Sequence, residues 1–151
     1  LIDVSSAGNL GEYTGAQFNE AFSYDQVGRF TSNSRADDNI RTYSYYSGTN
    51  SNHKTSRLKT TALTGENYLY SPSGNMVLDK KKKMATIYNW RNMPEQFLFF
   101  SHIPDKIGPD SDDGTFEGDI VQTLKNEGAV IVSTVSMLYD ASGERVMKAA
   151  Y

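Results

Sequence analysis

The residues able to do chemistry are few and scattered. The segment IPDKIGPDSDDGTFEGD, Ile103 to Asp119, concentrates carboxylates in a Gly-containing stretch, with Asp110, Asp112 and Asp113 at its centre. Oxygen donors of this kind suit Ca²⁺, which takes six to eight of them. The spacing is not that of an EF-hand loop, because Gly114 is fifth from Asp110 and the twelfth position is Val121. A solvated acidic connection is the expectation, with calcium the only candidate cofactor. His53 and His102 lie far apart in polar segments and have no partner at ligand spacing. The absence of cysteine excludes disulfides, thiolate metal sites and a Cys nucleophile. No G-x-S-x-G elbow is present. Trp90, in the turn-like YNWRNMP, offers an aromatic face on which a sugar could stack. The competing and favoured role is packing on a neighbouring hairpin, because aromatic rings must supply much of the core here. Lys80 to Lys83 form a basic run that fits an anionic partner or, more simply, a solvated hairpin tip.

Bulk properties narrow the partners further. The formal net charge is −3, so no global basic field favours nucleic acid. No apolar run approaches the roughly 18 residues of a membrane span. Ten Tyr, seven Phe and one Trp, together with 12 Gly, suit β-structure and argue against a disordered chain.

The elements that hold these residues repeat. Phe22-Ser23-Tyr24-Asp25 leads to Gly28 and Arg29-Phe30, and Tyr68-Leu69-Tyr70-Ser71 leads to Gly74 and Asn75-Met76. Met137-Leu138-Tyr139-Asp140 leads to Gly143, then Glu144, Arg145 and Val146. Ile87-Tyr88-Asn89-Trp90 is a variant in which Asn92 stands where the others have Gly. Tyr43 to Tyr46 opens a lengthened copy, and Ile2 to Leu10 reads as a worn one. Anchors at Val4, Tyr24, Tyr45, Tyr70 and Tyr88 recur about every 20 residues, and Tyr139 follows an insertion.

Each copy has the makings of a β-hairpin. Aromatic-x-Tyr puts both rings on one strand face. Asp25, Asn89 or Asp140 after the tyrosine can accept from backbone N–H groups and start a turn. Gly28, Gly74 and Gly143 supply the positive φ that a bulged hairpin turn demands. A lone hairpin is marginal in water, so successive hairpins should pair side by side into one sheet with a buried aromatic face carrying Tyr24, Tyr70, Tyr88 and Tyr139. The expected fold is therefore all-β, successive antiparallel hairpins in a curved sheet, with at most one short helix near 117–127. Residues 1–100 hold hairpin repeats, 101–134 an acidic insertion, and 135–151 a final repeat. Within the insertion, Ile120, Val121 and Leu124 have helical spacing, with Gly128 a natural stop. Asn126-Glu127-Gly128 could equally turn a hairpin, the favoured reading given its neighbours. The chain starts and stops inside strand pattern, as a piece of a longer protein would.

YDQVGRF, YLYSPSGNMVLD, IYNWRNMPEQF and LYDASGERVMK, in this order, resemble the YD-repeat (Rhs-type) proteins. The resemblance covers roughly residues 18–100 and 135–149. It implies a long spiralling β-sheet, part of a β-solenoid or shell that encloses a toxin or other cargo, or a cell-surface scaffold. It implies a non-catalytic, exported bacterial protein, extracellular or at the cell surface. The remainder of a longer repeat chain, neighbouring subunits or an enclosed cargo are the implied partners. The self-cleaving core end of such proteins has no counterpart here, so no catalytic residue carries over. Ser71 stands where the motif has Asp, and residues 101–134 have no counterpart in the simple repeat. The alternative is an extracellular carbohydrate-binding or adhesion module using Trp90 and the acidic loop.

Overall fold

Short alternating segments bounded by Gly, Asn and Asp fold as strands along the chain. The computed structural model describes residues 20–34, 41–48, 54–61 and 65–151. The worn copy at 2–10 and His53 lie outside the described residues. Two compact units are formed, residues 1–41 and 42–151. In the first, β1 (Ala21–Tyr24) pairs antiparallel with β2 (Phe30–Ser34), and the two-residue β3 (Arg41–Thr42) falls at the boundary.

The second unit contains a hairpin, β4 (Ser44–Ser47) with β5 (Lys54–Thr60), and a six-stranded antiparallel sheet. That sheet is built from three hairpins laid side by side in chain order. They are β6 (Tyr68–Tyr70) with β7 (Met76–Asp79), β8 (Met84–Tyr88) with β9 (Pro94–Phe100), and β10 (Ile131–Tyr139) with β11 (Arg145–Ala150). Pro94, which cannot donate to a ladder, opens its strand, where it is tolerated. Lys80 to Lys83 form the tip between β7 and β8, where Lys81, Lys82 and Lys83 are exposed. The all-β, hairpin-by-hairpin expectation is met by the described residues.

Between β9 and β10 the chain leaves the sheet and forms α1 (Ile120–Asn126), so the favoured hairpin reading of this stretch is corrected. Local chemistry explains the helix. Asp119 Oδ1 accepts from the Val121 and Gln122 amides at 2.9 and 3.1 Å, capping the first turn. Gly128, at φ 82°, ends it, and the Ala129 amide closes onto the Leu124 carbonyl at 3.0 Å. Ile120 and Leu124, one turn apart, are both buried.

The helix serves a sheet face that needs cover. Leu69, Leu78, Ala85 and Leu98 stand directly opposite one another across four strands and share that face. With Phe100 they pack against Ile107, Phe116, Ile120, Leu124 and Ala129 of the insertion. At Tyr68-Leu69-Tyr70 the buried core is thus built on the residue between the two aromatics, not on the tyrosines. Leu69 is fully buried while Tyr68 and Tyr70 beside it are only half-buried. The expected burial of the tyrosine face is corrected, and the reason is steric and polar together. A compact aliphatic row lets a helix approach closely, whereas a tyrosine hydroxyl must reach a hydrogen-bond partner.

Candidate functional site: the stacked tyrosine turns

Four turns share one geometry. In each, the tyrosine pairs with the residue six positions on: Tyr24 with Phe30, Tyr70 with Met76, Tyr88 with Pro94, Tyr139 with Arg145. The register slips immediately before the tyrosine every time. The residue after it closes two backbone bonds around the turn. Asp140 N–H donates to the Glu144 carbonyl at 3.0 Å and Gly143 N–H donates to the Asp140 carbonyl at 3.1 Å. The same two bonds recur at Asp25 with Arg29 and Gly28, Ser71 with Asn75 and Gly74, and Asn89 with Met93 and Asn92. The fourth residue of each turn has positive φ: 80° at Gly28, 87° at Gly74, 92° at Gly143 and 59° at Asn92. Asn92 fills the glycine position because Asn tolerates the left-handed region better than other side chains.

The side chain after the tyrosine accepts from the turn. Asp25 Oδ1 takes the Val27 and Arg29 amides at 3.0 and 2.9 Å, and Asn89 Oδ1 those of Arg91 and Met93. Asp140 Oδ1 takes the Glu144 amide at 2.9 Å and the Ser142 hydroxyl, which with the turn amides lowers its pKa. At Asp25 desolvation pushes the other way, but the Arg29 amide and guanidinium outweigh it and the pKa falls. These two carboxylates cap their turns, each holding backbone amides and one side chain, the Arg29 guanidinium or the Ser142 hydroxyl.

The tyrosine hydroxyls link one hairpin to the next. Tyr88 Oη donates to the Met76 carbonyl at 3.0 Å, and Met76 is the residue paired with Tyr70. Tyr139 Oη donates to the Pro94 carbonyl at 2.8 Å, and Pro94 is the partner of Tyr88. Tyr70 Oη donates to the Leu58 carbonyl at 3.0 Å, and Leu58 is the partner of Tyr45. One rule covers all three: each tyrosine bonds the carbonyl opposite the tyrosine before it. The rule survives the excursion through residues 101–130, which separates Pro94 from Tyr139 in sequence but not in space. Neighbouring turns also touch, Asn75 Nδ2 donating to Asn92 Oδ1 at 2.8 Å. Arg91 donates to the Asp140 and Ala141 carbonyls at 3.3 and 3.2 Å.

Trp90 belongs to this row of turns but does not pack. It is 89% exposed, with the Arg91 guanidinium 5.7 Å from its ring centroid. The favoured packing role is therefore corrected. The turn closed by the Asn92-to-Asn89 bond, with Asn92 at positive φ, leaves the ring at position 90 in solvent. Beside it lies a groove of about 270 Å³ lined by Met93, Glu95, Met137 and Tyr139, among others.

The acidic loop proves to be an edge cover. The Tyr70 amide donates to the Gly114 carbonyl at 3.0 Å and the Phe116 amide to the Tyr70 carbonyl at 2.7 Å, adding a short parallel bridge to β6. Asp113 is held between its own turn and β5. Oδ1 accepts from Ser111 Oγ and the Thr115 amide, and Oδ2 from Arg57 Nη1 at 2.8 Å. Ser111 first, then Thr115, with Arg57 adding its charge, hold its pKa down at about 2. Asp110 accepts from the Glu117 amide, and Asp112 is exposed. Asp110, Asp112 and Asp113 do not form a ligand set, and among the described residues no group of three or more His or carboxylate side chains is placed to hold a metal.

Sequence reasoning missed Arg57, Thr115 and Tyr46. Arg57 ties Asp113 and Thr115 to β5 and lies 5.7 Å from the Tyr70 centroid. Tyr46, 2% exposed, donates to the Tyr68 carbonyl at 2.9 Å, and burial pushes its phenol pKa up. Gly114 makes room for that ring, since a Cβ there would lie 2.3 Å from it. The signal available was the doubled Tyr45-Tyr46, which breaks the one-tyrosine pattern. His102 is exposed, its ring 3.1 Å from the Ser101 hydroxyl. No described helix is long and apolar enough to cross a membrane. Compared with known proteins, the chain matches no family model and no curated protein.

Proposed function

We propose that the chain is a structural segment of a YD-repeat (Rhs-type) wall, exported by a bacterium, that encloses or presents a cargo at or beyond the cell surface. The observation that carries this reading is the tyrosine rule, three hydroxyls each bonding the carbonyl opposite the preceding tyrosine. Such a rule joins equivalent units into a sheet of open-ended length. It also gives the tyrosine hydroxyls and the turn carboxylates structural partners, which supports a structural role for them. The remainder of a longer repeat chain or neighbouring subunits then continue the sheet.

The reading is tested in the exported polypeptide that carries this segment. Replacing Tyr70, Tyr88 and Tyr139 together by Phe is expected to loosen the wall and admit protease to whatever it encloses. A cargo cut at the same rate with and without the three hydroxyls would sink the proposal.

One observation favours a second reading, an extracellular carbohydrate-binding or adhesion module. A tryptophan 89% exposed beside a groove is costly to leave in water unless something covers it. Binding on a glycan array that Trp90→Ala abolishes without loss of fold would establish it. Absence of binding would remove it.

A further inference from the structure

The way one hairpin receives the next is fixed by register. Between β7 and β8, Leu78 lies opposite Ala85 and Asp79 opposite Met84. Between β9 and β10, Phe97 lies opposite Val135 and Gln96 opposite Ser136. Extending both registers sets Tyr88 opposite Asn75 and Tyr139 opposite Met93. Each hydroxyl then reaches the carbonyl one residue further on, Met76 and Pro94.

β11 ends this sheet in the strand order, and its side chains are largely exposed, Val146 at 58%. Thr134 and Tyr151 exchange both backbone bonds, at 3.0 and 2.8 Å. By the alternation of an antiparallel ladder, Met147 and Ala149 then face β10, and Val146, Lys148 and Ala150 point their N–H and C=O groups away from it. These three stand seven, nine and eleven residues after Tyr139. Glu95, Phe97 and Phe99 stand at the same distances after Tyr88, and Phe97 and Phe99 are the β9 residues opposite Val135 and Ser133 of β10. β11 thus presents the same edge that β9 presents to β10.

We infer that the outer edge of β11 is a docking edge for a further hairpin of the same unit, an antiparallel strand leading into a Tyr-x-x-x-Gly turn. Its tyrosine lies opposite Glu144 and donates to the Arg145 carbonyl. This rests on the reading of the chain as a hairpin-repeat wall and adds the partner's chemistry and register. Symmetric pairing of two β11 strands about their middle outward residue is disfavoured, because it sets Lys148 against Lys148.

The probe is a synthetic peptide of residues 131–151, added in excess to the full chain while amide hydrogen exchange is followed. The amides of Val146, Lys148 and Ala150 are expected to slow by about tenfold, as on ordering of a frayed edge. A peptide carrying Tyr139→Phe should slow them far less. The chain variant Lys148→Pro, which removes one outward N–H and keeps the bonds to β10, should lose the response at Val146. No slowing at high peptide, equal slowing by the Phe peptide, or slowing that grows with protein concentration alone would each overturn the inference. The wall reading fails by a different sign, unchanged stability when the hydroxyls of Tyr70, Tyr88 and Tyr139 are removed from the chain itself.

Discussion

The two faces of the six-stranded sheet are held by different physics. One carries the aliphatic row Leu69, Leu78, Ala85 and Leu98 under the helix of the insertion, with Leu69, Leu78 and Leu124 fully buried. The other carries Tyr70, Tyr88 and Tyr139, half-buried and joined by hydroxyl-to-carbonyl bonds. The first depends on close packing, which is strong and confined to where the insertion reaches. The second depends on a bond that each new unit can repeat. A helical lid caps a core once, while a ladder extends a sheet indefinitely, and this chain uses both.

Breaking the lid should cost most. Leu124→Ala removes a fully buried side chain at the centre of the helix–sheet contact, and a loss of about 2–5 kcal/mol is expected in urea unfolding. Gly114→Ala attacks the seam between the insertion and β6. It combines a left-handed φ of 83° with a Cβ 2.3 Å from the Tyr46 ring, so a loss of about 2 kcal/mol or more should follow. The added change Tyr46→Ala would relieve the clash and make the double variant less than additive. Strict additivity would mean that backbone strain, not the ring, sets the cost.

The ladder should fail in smaller, equal steps. Tyr88→Phe and Tyr139→Phe each delete one hydrogen bond to a strand carbonyl and should cost about 1 kcal/mol apiece. Because the two bonds share the hairpin from Tyr88 to Pro94, a double variant distinguishes independent staples from a coupled network. A cost near zero for both would erase the contrast between the two faces.

Much of this contrast was legible in the sequence, though not its assignment. Gly28, Gly74 and Gly143 marked the turns because only a residue tolerant of positive φ fits there, and Asn92 could be placed by the same logic. Strand existence followed from alternation. Which face is buried did not, because Tyr68-Leu69-Tyr70 offers one leucine against two large rings, and burial is decided by what arrives to cover it. That cover is the insertion, whose helix depends on an Asp119 cap that the sequence displayed among many other acids. Asp113 was picked out as a possible calcium ligand for its charge. Its partner Arg57 is 56 residues away, and no local pattern points to it.

The Asp113 pair allows a gentler test of how the insertion is fastened. With its pKa at about 2 when folded and near the ordinary 3.8 when unfolded, Asp113 adds stability above pH 3.8 and loses it as pH falls towards 2. Its side chain is 27% exposed, so solvent screening limits the effect to roughly 1 kcal/mol. Asp113→Asn should remove that component from the acid limb of the stability curve and leave the neutral-to-alkaline limb parallel.

The smallest effect is expected at the most conspicuous residue. Trp90 is 89% exposed, with the Arg91 guanidinium 5.7 Å from its ring centroid. Cation–π pairing at an exposed site is worth about 0.5–1 kcal/mol, part of which Arg91 keeps through its bonds to the Asp140 and Ala141 carbonyls. Trp90→Ala should therefore shift stability by no more than about 0.5 kcal/mol, within the range of ordinary surface substitutions. A loss above 1 kcal/mol would make Trp90 a staple between turns, like the tyrosines beneath it. A neutral result leaves the ring's large apolar surface without a structural reason, and so directs the search for its role to a ligand or a neighbouring chain.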